Sequence, residues 1–141
     1  LVNTARPFIF STAPPPPAVG AAAAALELLE AEPSMVDRLQ ENAAVLREAL
    51  AAEGLAADRS STQIVPVEVG EAEPTMALCE GALERGVFAQ GIRPPTVPEG
   101  SCRLRFTVMS THDPAELRRA AREVGAAARE VGLVPARPVA A

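Results

Sequence analysis

Two arginines, Arg103 and Arg105, follow a loop at residues 92–100 that carries three prolines within five residues. Proline fixes φ and donates no backbone hydrogen bond, so this loop can be neither a helix nor an inner strand. Residues 103–108 alternate between polar and apolar side chains and predict a strand. Because a guanidinium stays charged and its planar fork matches a carboxylate edge, a strand behind a stiff loop suits a carboxylate site. A loop with merely solvated arginines is the alternative interpretation.

Other residues that could carry chemistry are scarce. All 13 basic residues are Arg, and the 141 residues include no Lys. Cys79 and Cys102 form no metal or redox motif, and two cysteines this far apart are more often buried thiols in a reducing cytoplasm. We therefore expect no metal site and a cytoplasmic location.

The composition excludes several classes of function. The formal net charge is −5 and there is no basic run, so nothing predicts binding to nucleic acid or to an anionic membrane. No apolar run is long and pure enough to predict a membrane span, and no leader-like segment opens the chain. The hydrophobic fraction of 48% suits a globular protein whose core is filled largely by Ala and Val.

The first half of the chain predicts two helices. One begins near Pro16 or Pro17 and runs to Leu29, with apolar residues nearly all round. Such a helix requires cover on every side, and we expect some of that cover to come from protein outside these 141 residues. The second begins at Ser34, which suits an N-cap, and ends at Gly54.

The rest predicts three strands, at 64–69, 87–90 and 103–108, and two helices, at 74–86 and 114–131. Pro66 cannot donate to a ladder, so the first strand should lie at an edge or carry a bulge. In the helix at 74–86, the side chains predicted to face inward are Met76, Cys79 and Leu83. Thr111 or Asp113 should cap the last helix. These elements predict an α+β fold in two layers, a small sheet with helices on one face.

Three segments resemble one enzyme family. Residues 92–98 read Ile-Arg-Pro-Pro-Thr-Val-Pro, residues 5–13 read Ala-Arg-Pro-Phe-Ile-Phe-Ser-Thr-Ala, and residues 109–112 read Met-Ser-Thr-His. Taken in the order in which they occur along the chain, these segments resemble the C-terminal part of the pyridoxal-phosphate-dependent α-oxoamine synthases, enzymes of fold-type I. The resemblance covers roughly residues 1–131.

The resemblance implies a domain organisation. Residues 1–31 would be the end of the large domain and a long connecting helix, residues 32–131 the small C-terminal domain with a mainly antiparallel sheet, and residues 132–141 a disordered tail. The N-terminal large domain, missing from these residues, and a second subunit in a homodimer are the implied protein partners.

The resemblance also implies an activity. In this family a lysine forms a Schiff base with pyridoxal 5'-phosphate, and an amino acid is joined to an acyl thioester with loss of carbon dioxide. The family's lysine lies shortly before the segment that residues 5–13 resemble, so we expect no catalytic residue here, weak or absent cofactor binding, and no activity of this chain alone. The sequence of residues 92–98 most resembles the branch of this family that uses L-alanine and a pimeloyl thioester for biotin biosynthesis.

The resemblance assigns candidate site residues. Ser11 and Thr12 match a hydroxyl pair that reaches the cofactor phosphate of the neighbouring subunit, and hydroxyls with free N–H groups before a helix suit an anion. An N-cap is the equally weighted alternative for this pair. Arg105 matches the arginine that binds the amino acid carboxylate, although the pattern alone does not separate it from Arg103.

Three further residues are assigned more loosely. Thr96 matches a substrate-contacting residue, and Arg93 would reach the carboxylate end of the acyl substrate or else pin the loop. His112 is interpreted as structural or as a neighbour of the site, because the family's catalytic histidines lie earlier. Two alternatives stay open: another α-oxoamine synthase, of the glycine C-acetyltransferase or 5-aminolevulinate synthase type, and a non-catalytic stand-alone domain.

Overall fold

A computed structural model describes residue 4 and residues 12–57 and 60–134 of the chain. Ser11 and most of the predicted tail lie outside the described residues. The chain divides into two compact units, 1–35 and 36–141. Among the described residues, no helix has the length and apolar character that a membrane crossing requires.

The first unit contains helix α1, Pro16–Ala31. Prolines occupy its first two positions, where a missing N–H removes no helical hydrogen bond. Five consecutive alanines, 21–25, follow and have the highest helix propensity. No residue of α1 is buried, and its larger side chains, such as Leu26 at 59% exposure, stay accessible. The helix predicted from the prolines is therefore present.

The remaining elements are helices α2 (Ser34–Ala52), α3 (Ala72–Glu84) and α4 (Pro114–Glu130), with strands β1 (Ile64–Gly70), β2 (Gln90–Ile92) and β3 (Cys102–Thr107). Strand β3 is central, and β1 and β2 each pair with it in the antiparallel sense. Pro66 lies on the edge strand β1, which also carries a bulge between Glu68 and Gly70. The edge position accommodates the proline, as predicted, while the bulge lies further along the strand.

One face of the sheet is buried beneath the helices. Val65, Val67 and Leu104 are fully buried, and the residues between them along each strand face outward. The helices contribute the buried side chains of Ala43, Leu46, Leu50, Leu78, Ala82, Leu117, Ala121 and Val124. Alternation of this kind is typical of an antiparallel sheet covered on one side. The predicted α+β architecture is confirmed.

Helix α3 differs from the prediction in its buried face. The residues that it buries are Thr75, Leu78 and Ala82. Leu83, predicted to face inward, is 57% exposed, while Met76 and Cys79 are half-buried. A threonine can occupy the buried side because its hydroxyl donates to the carbonyl oxygen of Glu71 at 2.6 Å.

Strand β2 also differs from the prediction, which placed it at residues 87–90. Val87 instead follows α3 and caps its end, because its N–H donates to the carbonyl of Ala82 at 2.9 Å. Gly86, with a φ of 78°, adopts the left-handed conformation that this helix ending requires. The strand can begin only after this cap, at Gln90.

The N-cap of helix α4 is one of the two residues predicted for it. Asp113 is its N-cap, and the Asp113 side chain accepts a hydrogen bond from the N–H of Ala115 at 2.6 Å. Pro114 follows in the first turn, where a proline is tolerated. The alternative cap, Thr111, is not used.

Asn42 is a buried polar side chain, 6% exposed, that ties α2 to the turn after β3. Its Nδ2 group donates to the carbonyl oxygens of His112 at 2.8 Å and of Met109 at 3.1 Å. We expect Asn42→Leu to lower the free energy of unfolding by about 1–3 kcal/mol, because both carbonyls lose their donor.

Urea unfolding followed by circular dichroism measures this loss. Asn42→Asp tests the cause, since it keeps the size of the side chain and removes the N–H donors. Gln40→Leu on the exposed side of the same helix is the matched control and should change little. An Asn42→Leu protein as stable as the wild type would contradict the prediction.

Candidate functional site

Arg105 lies on the exposed face of the central strand. Its register partners are Pro66 on β1 and Gln90 on β2, neither of which carries a charge. Among the described residues, no hydrogen bond or ion pair engages its guanidinium. All the N–H donors of the Arg105 fork are therefore available to an anion.

Arg103, two residues earlier on the same face, is held in place. Its Nε donates to the carbonyl oxygen of Ser101 at 3.0 Å, and its Nη1 lies 3.9 Å from Oε1 of Glu68. Glu68 is also its register partner across the sheet. The structure thus separates two arginines that the sequence pattern left equivalent: Arg103 is paired, and Arg105 is open.

Arg93 and Thr96 line one surface pocket of about 420 Å³ in the loop that follows β2. The N–H of Thr96 donates to the carbonyl oxygen of Arg93 at 3.1 Å, which closes a turn. The Arg93 guanidinium forms no hydrogen bond with a described residue, so any pinning of the loop comes from the backbone. Gln90 also lines this pocket and pairs with Arg105, so strand β2 connects the pocket to the open arginine.

Gly91 lies in the wall of this pocket, where β2 approaches α3. A Cβ at this position would come within 3.0 Å of the Met76 sulfur, which forms part of the same wall. A side chain at position 91 would require the Met76 side chain to shift by a few tenths of an ångström, so glycine favours the close approach of β2 to α3.

The first turn of α1 offers no free backbone N–H to an anion. Its N-cap is Pro15, followed by Pro16 and Pro17, and prolines have no N–H to donate. The first N–H of the helix, that of Ala18, donates to the carbonyl oxygen of Pro15. Thr12 is exposed and is not the N-cap of α1, and Ser11 lies outside the described residues. The assignment of this pair to the cofactor phosphate stays a prediction.

His112 takes part in the turn after β3. Its Nδ1 accepts a hydrogen bond from the N–H of Met109 at 3.2 Å, while its own carbonyl accepts from Asn42. These contacts agree with a structural role. Among the described residues, no group of His, Cys, Asp and Glu could hold a metal ion.

Two polar contacts around these residues could not be predicted from the sequence. Glu68 alternates with the apolar residues of β1, which places it on the outer face, but nothing in the sequence gives its register against Arg103. Asn42 has the same difficulty, because its partners lie 67 and 70 residues away.

The fold and the site define a small α+β domain in which strand β2 links the open Arg105 to a surface pocket that carries Arg93. A solved structure with the same fold is a serine palmitoyltransferase from S. paucimobilis with a bound PLP–myriocin aldimine: the TM-score is 0.83, the identity is 29%, and the match covers 92% of this chain and 33% of that chain. Residues 1–124 match the family model of aminotransferase class I and II. The chain belongs to that family.

Curated relatives are closer in sequence. The chain is 48% identical over 136 residues to the 8-amino-7-oxononanoate synthases of Citrifermentans bemidjiense and of Geobacter sulfurreducens. Each match covers 95% of this chain and 35% of the relative, so the chain spans about a third of the length of these relatives. The resemblance inferred from three sequence segments is confirmed.

The described residues do not by themselves fit pyridoxal phosphate. The 141 residues contain no lysine amine for a Schiff base, and the proline-rich start of α1 supplies no free N–H groups for a phosphate. These residues therefore lack the amine that would bind the cofactor covalently and the backbone donors that would hold its phosphate at α1.

Proposed function

We propose that the chain is the C-terminal part of an 8-amino-7-oxononanoate synthase, a pyridoxal-phosphate-dependent acyltransferase that joins L-alanine to a pimeloyl thioester with loss of carbon dioxide. The 48% identity across nearly the whole chain supports this enzyme over the serine palmitoyltransferases, which share the fold at 29% identity. In this proposal the complete enzyme is a cytoplasmic homodimer of biotin biosynthesis.

Arg105 is the observation that carries the proposal. An exposed guanidinium on a central strand, without a partner among the described residues, has a fixed backbone position and a planar fork that is available to the amino acid carboxylate. Binding would order the side chain, so the loss of rotamer freedom offsets part of the contact's free energy.

The pocket beside Arg93 is the proposed position of the acyl substrate. Its walls include the apolar side chains of Met76 and Ile92, and Arg93 places a positive charge at the same pocket. A chain of methylenes that ends in a carboxylate, as in a pimeloyl group, matches this combination. Thr96 would add a hydroxyl contact.

The remaining assignments come from the family resemblance. Residues 1–31 would be the end of the large domain with the connecting helix, residues 32–131 the small domain, and residues 132–141 the tail. Ser11 and Thr12 would contact the cofactor phosphate of the neighbouring subunit through their hydroxyls alone. The large domain would supply the lysine, so the 141 residues would be inactive alone.

An assay of the complete polypeptide that includes this chain tests the function. The purified protein, loaded with pyridoxal phosphate, is offered L-alanine with a pimeloyl thioester and, in parallel, L-serine with a palmitoyl thioester and glycine with an acetyl thioester. We expect the first pair to have the highest kcat/KM. A preference for the serine and palmitoyl pair would favour the function of the structural neighbour.

The chain alone should form no covalent adduct with pyridoxal phosphate at any internal residue, because it has no lysine amine. The measurement is titration with the cofactor, reduction with borohydride and mapping of the adduct by mass spectrometry. Only the N-terminal α-amino group can react. A label on an internal residue would defeat the prediction.

A further inference from the structure

The outer face of β3 carries two guanidinium groups, on Arg103 and Arg105, two residues apart. Residues at this spacing in a strand have their Cα atoms about 7 Å apart and point the same way. Two arginine side chains at this distance could together bind a ligand with two carboxylates, unless another group neutralises one of the arginines.

Glu68 lies beside one of them. Its carboxylate faces Arg103 across the sheet, with 3.9 Å between Oε1 and Nη1, and the Ser101 carbonyl accepts from Arg103 Nε on the other side. The Arg103 side chain is 30% exposed and that of Glu68 is 45% exposed, so the pair lies at the surface where a ligand would approach. Arg105, by contrast, faces Pro66 and Gln90.

We propose that Glu68 is a specificity-determining residue that selects a monocarboxylic amino acid against a dicarboxylic one. It does so by holding Arg103 and cancelling its charge, so that Arg105 remains the single carboxylate site on this face. This inference rests on the proposed role of Arg105 in binding the amino acid carboxylate. Without Glu68, Arg103 is free to turn toward a second carboxylate on the ligand.

Calorimetric titration of the complete protein with L-alanine and with L-aspartate tests the proposal. Glu68→Gln should tighten the binding of L-aspartate by about fivefold, the effect of one exposed charge–charge contact, and should leave the dissociation constant of L-alanine within about twofold. Glu80→Gln is the matched control, because Glu80 is exposed on α3 and the substitution removes the same charge.

Two further variants establish the cause. Adding Arg103→Gln to Glu68→Gln should abolish the gain for L-aspartate. Arg103→Gln alone should give L-aspartate no gain, because the Glu68 carboxylate then repels a second carboxylate on the ligand. An equal gain in Glu68→Gln and Glu80→Gln, or a gain that survives without Arg103, would overturn the proposal. Melting temperatures of all variants separate this role from a merely structural one, which would lower stability without changing the ratio.

The outcomes distinguish this proposal from the proposed function. If the complete protein does not condense L-alanine but Glu68→Gln still shifts the ratio, the function fails and the role of Glu68 stands. If Arg105→Gln leaves L-alanine binding unchanged, the carboxylate site is not at Arg105 and the role of Glu68 falls with it.

Discussion

Arg105→Ala in the complete enzyme is expected to lower kcat/KM for the amino acid by about 10- to 200-fold. A bidentate contact between a guanidinium and a carboxylate contributes roughly 1.5–3 kcal/mol, and each 1.36 kcal/mol is a factor of ten. The measurement is the KM and kcat/KM of the amino acid with the acyl thioester at saturation. Arg105→Lys should recover only part of the loss, because an ammonium cannot reproduce the planar fork.

Stability separates a binding role from a structural one. The Arg105 guanidinium has no partner among the described residues, so its removal should leave the melting temperature nearly unchanged. Arg103→Ala is the internal control on the same strand and face: it removes the contacts to Glu68 and Ser101 and should leave kcat/KM within about twofold. Equal, small kinetic losses in both variants would remove Arg105 from the site.

Local signals in the sequence predicted most of the fold. The Asp113 cap and the edge position of Pro66 follow from the side chain of one residue and its near neighbours, so they could be predicted without tertiary information. The face of α3 could not. Leu78 and Leu83 are both apolar, and only the position of the sheet and of α4 decides which one is buried.

The site was predictable in its residue types but not in its pairing. The sequence places Arg103 and Arg105 on one face, yet only the register with β1 shows that Glu68 meets the first and Pro66 the second. A shift of two residues in that register would place Glu68 opposite Arg105 instead. Register is a non-local property, set by the bulge and by the buried valines.

The contact between Glu53 and α4 is another non-local feature, and it leads to the largest expected change in stability. Glu53 is 7% exposed, and its Oε2 accepts a hydrogen bond from Nη1 of Arg129 at 3.0 Å. The carboxylate can lie there because Gly125 has no side chain: a Cβ would stand 2.6 Å from Oε2, 2.7 Å from Cβ and 2.8 Å from Cγ of Glu53.

Two effects of Gly125→Ala oppose each other. Alanine in place of glycine within a helix favours folding by about 1 kcal/mol. Overpacking costs about 1–3 kcal/mol, and displacing Glu53 weakens a buried, charge-assisted hydrogen bond to Arg129 that contributes about 1.5–3 kcal/mol. The contact between the two Cβ atoms cannot be relieved by rotating the Glu53 side chain. We therefore expect a net loss of about 2–4 kcal/mol and a melting temperature roughly 5–15 °C lower.

Gly81→Ala is the matched control for this loss, because it adds a methyl group to a helical glycine whose nearest neighbour, Ala127 Cβ, would be 3.3 Å away. Its effect should be below about 1 kcal/mol, since a few tenths of an ångström of movement suffice. Glu53→Ala in the Gly125→Ala background should restore part of the stability. The difference between this double variant and Glu53→Ala alone measures the clash between the two Cβ atoms, because both proteins lack the hydrogen bond to Arg129. Thermal and urea unfolding give both values. A Gly125→Ala protein at least as stable as the wild type would show that helix propensity outweighs the contact with Glu53.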